Sequence, residues 1–320
     1  FEALAANTAS NNTAVGKHAL VANTTGAGNV AVGGFALDAN TTANYNTALG
    51  YQSLSANTAG ANNTACGMNA LTTNTGGDDN VAVGYQALYV NTTGDHNIAI
   101  GRNSLVANTI GTDNAAIGRS ALGANTTGSY NVALGDQALY SNTTGEKNTA
   151  LGAYSLYTNS TASQNTAVGY YCSFLNTTGT ANASVGYYAL YANTTGDYNS
   201  ALGHMALSTN TTADGNTAVG YSALKVNTTG SNNTAVGRDA LKANTTGQHN
   251  VCVGRTALKE NTGGNYNVAV GQAALRDNTA SNNTAVGNDA LLLNTTGGEN
   301  TAIGINALDA NTTGGKNTGL

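Results

Sequence analysis

The sequence has no proline and no tryptophan, only three cysteines and three phenylalanines, and charged residues make up just 8% of its 320 positions. Each shortage removes a class of explanation. Cys66, Cys172 and Cys252 lie too far apart in a repetitive chain to bridge, because a disulfide needs Cα atoms within ~7 Å. Small buried hydrophobes is the expected role, with Cys66 standing where Val is usual and Cys252 where Ala is usual. Eleven Lys and Arg against sixteen Asp and Glu offer no basic surplus for a nucleic acid. No apolar run is long enough to span a membrane, so membrane insertion is not expected. No signal-like segment is present and the chain opens at Phe1, which reads as a mature or excised piece.

What is present is one motif. The leading Asn of Asn-Thr-Thr recurs from Asn7 through Asn23, Asn40 and Asn57 to Asn311, in steps of 17 residues. The two exceptions are the 16-residue steps from Asn7 to Asn23 and from Asn278 to Asn294. A fixed short period signals a solenoid, whose length counts stacked units and does not imply separate cores. Residues 1–320 are therefore expected to form a single repeat domain of about 19 coils. Phe1-Glu2-Ala3-Leu4 and Asn317-Thr318-Gly319-Leu320 both fall in mid-repeat, as in a segment of a longer fibre.

Aligned, the repeats read N-[T/V]-A-V-G-x-x-A-L-x-x-N-T-T-G-x-x, numbered below as columns 1 to 17. Column 4 is apolar (Val15, Val32, Leu49) and column 9 is Leu (Leu20, Leu37, Leu54), so these six residues are the expected core ladder. All 27 charged residues occupy the six x columns, which must face solvent because unpaired buried charge is too costly to repeat. Tyr51, Tyr85, Tyr170, Tyr171, Tyr187 and Tyr221 share the pair of columns 6 and 7 and are expected on an outer ridge. Thr-Ala-Val reads as a short strand, with columns 2 and 4 on the face opposite Ala. A second strand is expected around Leu, with Gly at the corners in columns 5 and 15. Apolar spacing that is not 3.6 disfavours helix. The expected fold is all-β, a parallel β-solenoid of 17-residue coils. So thin a coil also calls for lateral partners, through the Ala face or the Thr/Val column.

The Asn columns admit two readings. Stacked amides can bond one another along the axis while capping their own turns. Alternatively, N-x-[S/T] is a glycan acceptor, present at Asn23, Asn40, Asn91, Asn125, Asn142, Asn159, Asn176, Asn193, Asn210, Asn227, Asn244, Asn294 and Asn311. Six further turns, at Asn7, Asn57, Asn74, Asn108, Asn261 and Asn278, keep the amide but lose the hydroxyl, which argues for structure first. O-linked sugar on Thr24, Thr41, Thr92 or Thr126 stays open.

Runs such as Asn267-Val268-Ala269-Val270-Gly271-Gln272-Ala273-Ala274-Leu275 resemble the N-x-V-A-I-G-x-x-[A/S] coils in head domains of YadA-type trimeric autotransporter adhesins. They are also similar to N-T-A-[V/I/L]-G-x-x-A-L-x-x-N-T-T-G repeats of phage tail-fibre-like and other bacterial surface proteins. The resemblance covers essentially the whole chain. It implies a left-handed roll, three chains side by side and an extracellular place on a cell or virion surface, in adhesion or as a spacer. The 17-residue period is longer than that of the adhesin head, and no coiled-coil stalk, anchor or chaperone domain accompanies it.

No catalytic or metal-ligating constellation emerges. Of the four His, only His96 and His249 share a column, nine repeats apart, and Asp95-His96 sits in a solvent-facing pair. No phosphate-binding loop occurs, and the carboxylates are too scattered for a calcium roll. The sequence thus predicts no enzyme, no cofactor and no metal. It predicts a structural fibre subunit that self-associates end to end or laterally. The alternatives are an adhesin or tail-fibre shaft gripping surface glycans through its Tyr ridge, and an ice-binding solenoid.

Overall fold

The computed structural model describes residues 2–320; Phe1, part of the mid-repeat start noted above, lies outside the described residues. The chain divides into two compact units, Phe1–Ser163 and Gln164–Leu320. Each is a stack of β-solenoid coils. The first carries strands β1 (Thr13–Val15) to β9 (Thr149–Leu151), and the second carries β10 (Thr166–Val168) to β19 (Thr318–Gly319). Within each unit the strands pair in parallel with no slip, as where Val30, Ala31 and Val32 face Thr47, Ala48 and Leu49. Strands β1 to β18 are each only three residues long because columns 2 to 4 end at the column 5 glycine, and β19 has two residues.

That glycine is required. Gly50 has φ +138°, and a Cβ there would lie 2.6 Å from the carbonyl oxygen of Gly67 in the next coil. The chain then turns three more times through left-handed residues, in columns 7, 9 and 17, as at Phe35 (φ 59°), Leu37 (φ 51°) and Tyr45 (φ 58°). The second strand expected around Leu is therefore absent, because a strand needs φ near −120°. Coil-to-coil bonding survives on that arm all the same: the Leu37 N–H donates to Ser53 O at 3.1 Å, and Asn40 N–H closes the turn onto Leu37 O at 3.2 Å. Left-handed backbone costs a residue such as Leu roughly 1–2 kcal/mol, and full burial of the side chain returns about 1.5–3 kcal/mol.

The core differs from the expected one in half of its members. Leu20, Leu37 and Leu54 are fully buried, but Val15, Val32 and Leu49 point outward and are 59%, 37% and 39% exposed. In their place the interior holds the two Ala columns, as Ala31 and Ala36, which are fully buried. The phase is set by Asn. Asn29 must point inward to satisfy its amide, so period-2 alternation turns Ala31 in and Val30 and Val32 out. The inward column of the strand is Ala in nearly every coil, with Ser184 and Cys252 as larger buried exceptions. Cys66, in column 4, is accordingly half-exposed, whereas Cys172 and Cys252, in Ala columns, are buried.

Both 16-residue coils lose their residue at the same corner. Asn7 Nδ2 donates to Ala9 O at 2.9 Å and Asn278 Nδ2 to Ala280 O at 2.8 Å, so the turn shortens while its acceptor is kept.

Candidate functional site

Two amide spines run inside each unit. In column 12, Asn40 Nδ2 donates to Asn23 Oδ1 at 2.8 Å and to Ala43 O at 3.1 Å. In column 1, the Asn46 N–H donates to Asn29 Oδ1 at 2.9 Å, and its Nδ2 donates to Gly60 O at 2.8 Å. Gly60 O also accepts from Asn57 Nδ2 at 2.9 Å, so one carbonyl in column 15 ties the two spines together. A Cβ on Gly60 would press against Asn57 Oδ1 at 2.7 Å, which explains glycine at that corner.

The candidate N-linked acceptors all belong to the column 12 spine. Asn23, Asn40, Asn91, Asn125, Asn142, Asn159, Asn176, Asn193, Asn210, Asn227, Asn244 and Asn294 are buried, and Asn311, in the last coil, is half-buried. An N-linked sugar would have to replace an amide hydrogen that already bonds, as both do in Asn125 and Asn244, and would need a path to solvent. The folded coil supplies neither. Of the candidate O-linked positions, Thr24, Thr92 and Thr126 each donate their hydroxyl to the carbonyl of the next coil at 3.0 Å, and Thr41 is half-buried.

What faces outward is the strand face. Columns 2 and 4 hold Thr, Val, Ile, Leu, Ala, Ser and one Cys, and no charged residue in any repeat. In the first unit Ile98, Ile100, Ile117, Val132 and Leu134 are exposed on it; in the second, Val185, Leu202, Val251, Val253 and Ile303 are. In the sequence, hydrophobicity assigned the column 4 residues among them to the interior, while column 2 was read as one of two possible lateral faces. Their parity with the inward Asn was the signal that places them.

The face has unlike edges. Columns 16 and 17, which precede it in each coil, hold eight of the sixteen carboxylates and two of the eleven cations, whereas columns 6 and 7, which follow it, hold four carboxylates and five cations. On the acidic edge Asp78 accepts the Ala61 N–H at 2.7 Å and donates its own N–H to Asp95 at 2.8 Å. His96 stands 3.7 Å from both Asp79 and Asp113.

The column 6 edge carries the tyrosine ridge. Tyr51, Tyr85, Tyr170, Tyr187 and Tyr221 are exposed on it. In the second unit its rings stack along the axis: Tyr170 on Tyr187 at 6.0 Å, Tyr187 on His204 at 5.1 Å, and His204 on Tyr221 at 5.2 Å. The Arg238 guanidinium then covers Tyr221 at 5.9 Å. Ring faces are thus spent on one another, and edges and hydroxyls meet solvent.

Neither buried thiol is poised for chemistry. Burial pushes the Cys172 thiol up to about 11 and raises that of Cys252 as well, so both stay protonated at neutral pH. Among the described residues no group of three or more His, Cys, Asp or Glu could hold a metal ion, and no helix is long and apolar enough to cross a membrane.

No protein-family model matches the chain, and no curated protein matches it.

Proposed function

We propose that the protein is a structural fibre element whose chains associate side by side through the strand face. The observation that carries this reading is the uncharged ladder of columns 2 and 4, hydroxyl or apolar in column 2 and apolar in column 4, which a chain working alone has no reason to leave exposed. At ~4.8 Å per coil and ~10 Å across three residues, each unit presents roughly 400 Å². Covering that face with its counterpart on a second chain buries roughly 800 Å² for each unit, and the two units contribute such a contact each. The edges select orientation. Chains running in parallel set the acidic edge of one against the column 6 edge of the next, whereas antiparallel chains set acid against acid. A place outside a cell or on a virion follows from the resemblance to surface-protein repeats, as does the option of three chains.

Sedimentation velocity of the full chain over a range of concentrations tests the proposal, alongside a variant carrying Ile100→Lys, Leu134→Lys, Leu202→Lys and Val253→Lys. The wild type should be oligomeric and the variant monomeric with unchanged circular dichroism. Fluorophores at the same end of two chains should transfer energy to one another more efficiently than fluorophores at opposite ends. A wild type that stays monomeric throughout overturns the proposal.

A second reading draws on the same face, because Thr13, Thr47, Thr64, Thr217 and Thr234 stand outward in column 2 and could order water. Column 4 offers only apolar groups beside them, which favours a protein partner over ice. Thermal hysteresis by the monomeric fraction would reverse that preference.

A further inference from the structure

Six of the chain's eleven cations fall between Lys225 and Arg276, and four of them, Lys225, Lys242, Lys259 and Arg276, occupy column 10 of consecutive coils. Backbone bonds fix them in register. Thr209 N–H donates to Lys225 O at 3.2 Å, Val226 N–H to Lys242 O at 3.3 Å, Ala243 N–H to Lys259 O and Glu260 N–H to Arg276 O at 2.9 Å each. Four cationic side chains therefore leave one arm in a line, ~4.8 Å apart. Beside that line lies a groove of about 230 Å³, lined by Val226, Lys242, Ala243, Lys259 and Glu260.

The line is not uniformly positive. Lys259 Nζ is 2.7 Å from Glu260, Lys242 Nζ is 3.0 Å from Asp239, and Arg276 Nε is 2.7 Å from Asp277. With Arg238 and Arg255 alongside in column 6, six cations face four carboxylates, Asp239, Glu260, Asp277 and Asp289, a local surplus in a chain whose net charge is −5. A partner suited to this pattern carries spaced negative groups with neutral donors between them.

We propose that the groove binds a strand of acidic polysaccharide lying along the coil axis. Its uronate carboxylates bond Lys225, Lys242 and Lys259, and its hydroxyls donate to Glu260. A single-stranded nucleic acid fits less well, because its bases find no platform: Tyr221 is covered on one side by His204 and on the other by Arg238. The proposal is independent of lateral assembly, because columns 10 and 11 lie outside the strand face.

Titration calorimetry with the full chain tests it, using a polygalacturonate oligosaccharide, neutral dextran and a single-stranded oligonucleotide. One variant replaces the line (Lys225→Gln, Lys242→Gln, Lys259→Gln); a control replaces three cations elsewhere (Lys17→Gln, Lys147→Gln, Lys316→Gln). Both should keep the wild-type circular dichroism, and the first should unfold slightly earlier, because Lys242→Gln leaves the buried Asp239 carboxylate to Arg238 alone. Polygalacturonate should bind, weaken with added salt, and lose about tenfold in affinity with the first variant only. No binding of polygalacturonate, equal binding of dextran, equal loss in both variants, or tighter binding of the oligonucleotide would each overturn the proposal.

Discussion

Asn125 donates one amide hydrogen to Asn108 Oδ1 and the other to Gly128 O, and accepts from Asn142 Nδ2, all within the buried spine. Asn125→Ala leaves Asn108 Oδ1 without a partner and one Asn142 amide hydrogen unbonded, while Gly128 O keeps Asn114 Nδ2 at 2.9 Å; at ~1–3 kcal/mol for each buried unsatisfied group the expected loss is roughly 2 kcal/mol or more, read from urea unfolding. Asp38 illustrates the opposite case. Its Oδ1 is buried without a partner, and burial raises its carboxyl above the ordinary 3.8. A folded pKa above the unfolded one means that protonation favours the fold, so the charged form is a penalty that grows as pH rises through the folded value. Asp38→Asn should raise the unfolding midpoint at pH 7 and leave it nearly unchanged near pH 3. Asp277 carries the reverse sign, because hydrogen bonds from Arg276 hold its carboxyl below 3.8. Its stabilisation is present above the unfolded value and lost as pH falls through the folded one.

One coil departs from its neighbours in a way that tests the packing rules. Ser173 stands where the repeat has Leu, with Cys172 and Ser184 in place of the adjoining Ala residues. The three form a buried polar cluster, Ser173 Oγ lying 2.7 Å from Ser184 Oγ and Cys172 Sγ donating to Ser184 Oγ at 3.0 Å. Restoring the regular coil with Cys172→Ala, Ser173→Leu and Ser184→Ala together should stabilise the second unit by about 1.5–3 kcal/mol, the gain from burying one Leu, measured as a shift in urea midpoint. Changing Ser173 alone should yield less, because Ser184 would lose a partner. Much of the element-scale structure was legible in the sequence. The period named the solenoid, and turns such as Asn57 and Asn74, which keep the amide without the hydroxyl, pointed to the spine. The strand face was read inside out because apolarity was equated with burial: Val32 is more apolar than Ala31, yet only Ala31 shares parity with Asn29. The Leu arm was misread for another reason, since nothing in Leu37 advertises a backbone conformation that Leu seldom adopts. The column 10 groove was hidden because composition averages charge over the whole chain, and only the register gathers Lys225, Lys242 and Lys259 into a line.

At the scale of the molecule, each unit's stability is close to a sum over coils and their contacts with immediate neighbours. Removing one whole coil, residues 97–113, joins His96 to Asn114 and places every later residue in its old column. The shortened chain should keep the same circular dichroism with a nearly unchanged urea midpoint. Removing only residues 105–113 shifts the columns and should abolish the cooperative transition. Evidence that the fold already tolerates lesser changes lies in its two 16-residue coils, both shortened at the turn where Ala9 and Ala280 supply the spine's acceptor. Because each coil offers its neighbour the same register of donors and acceptors, a copying error that inserts or drops a repeat in the gene yields a chain that still closes. Coil number is then free to drift between generations, while the shape of a single coil is held fixed by two rows of asparagine.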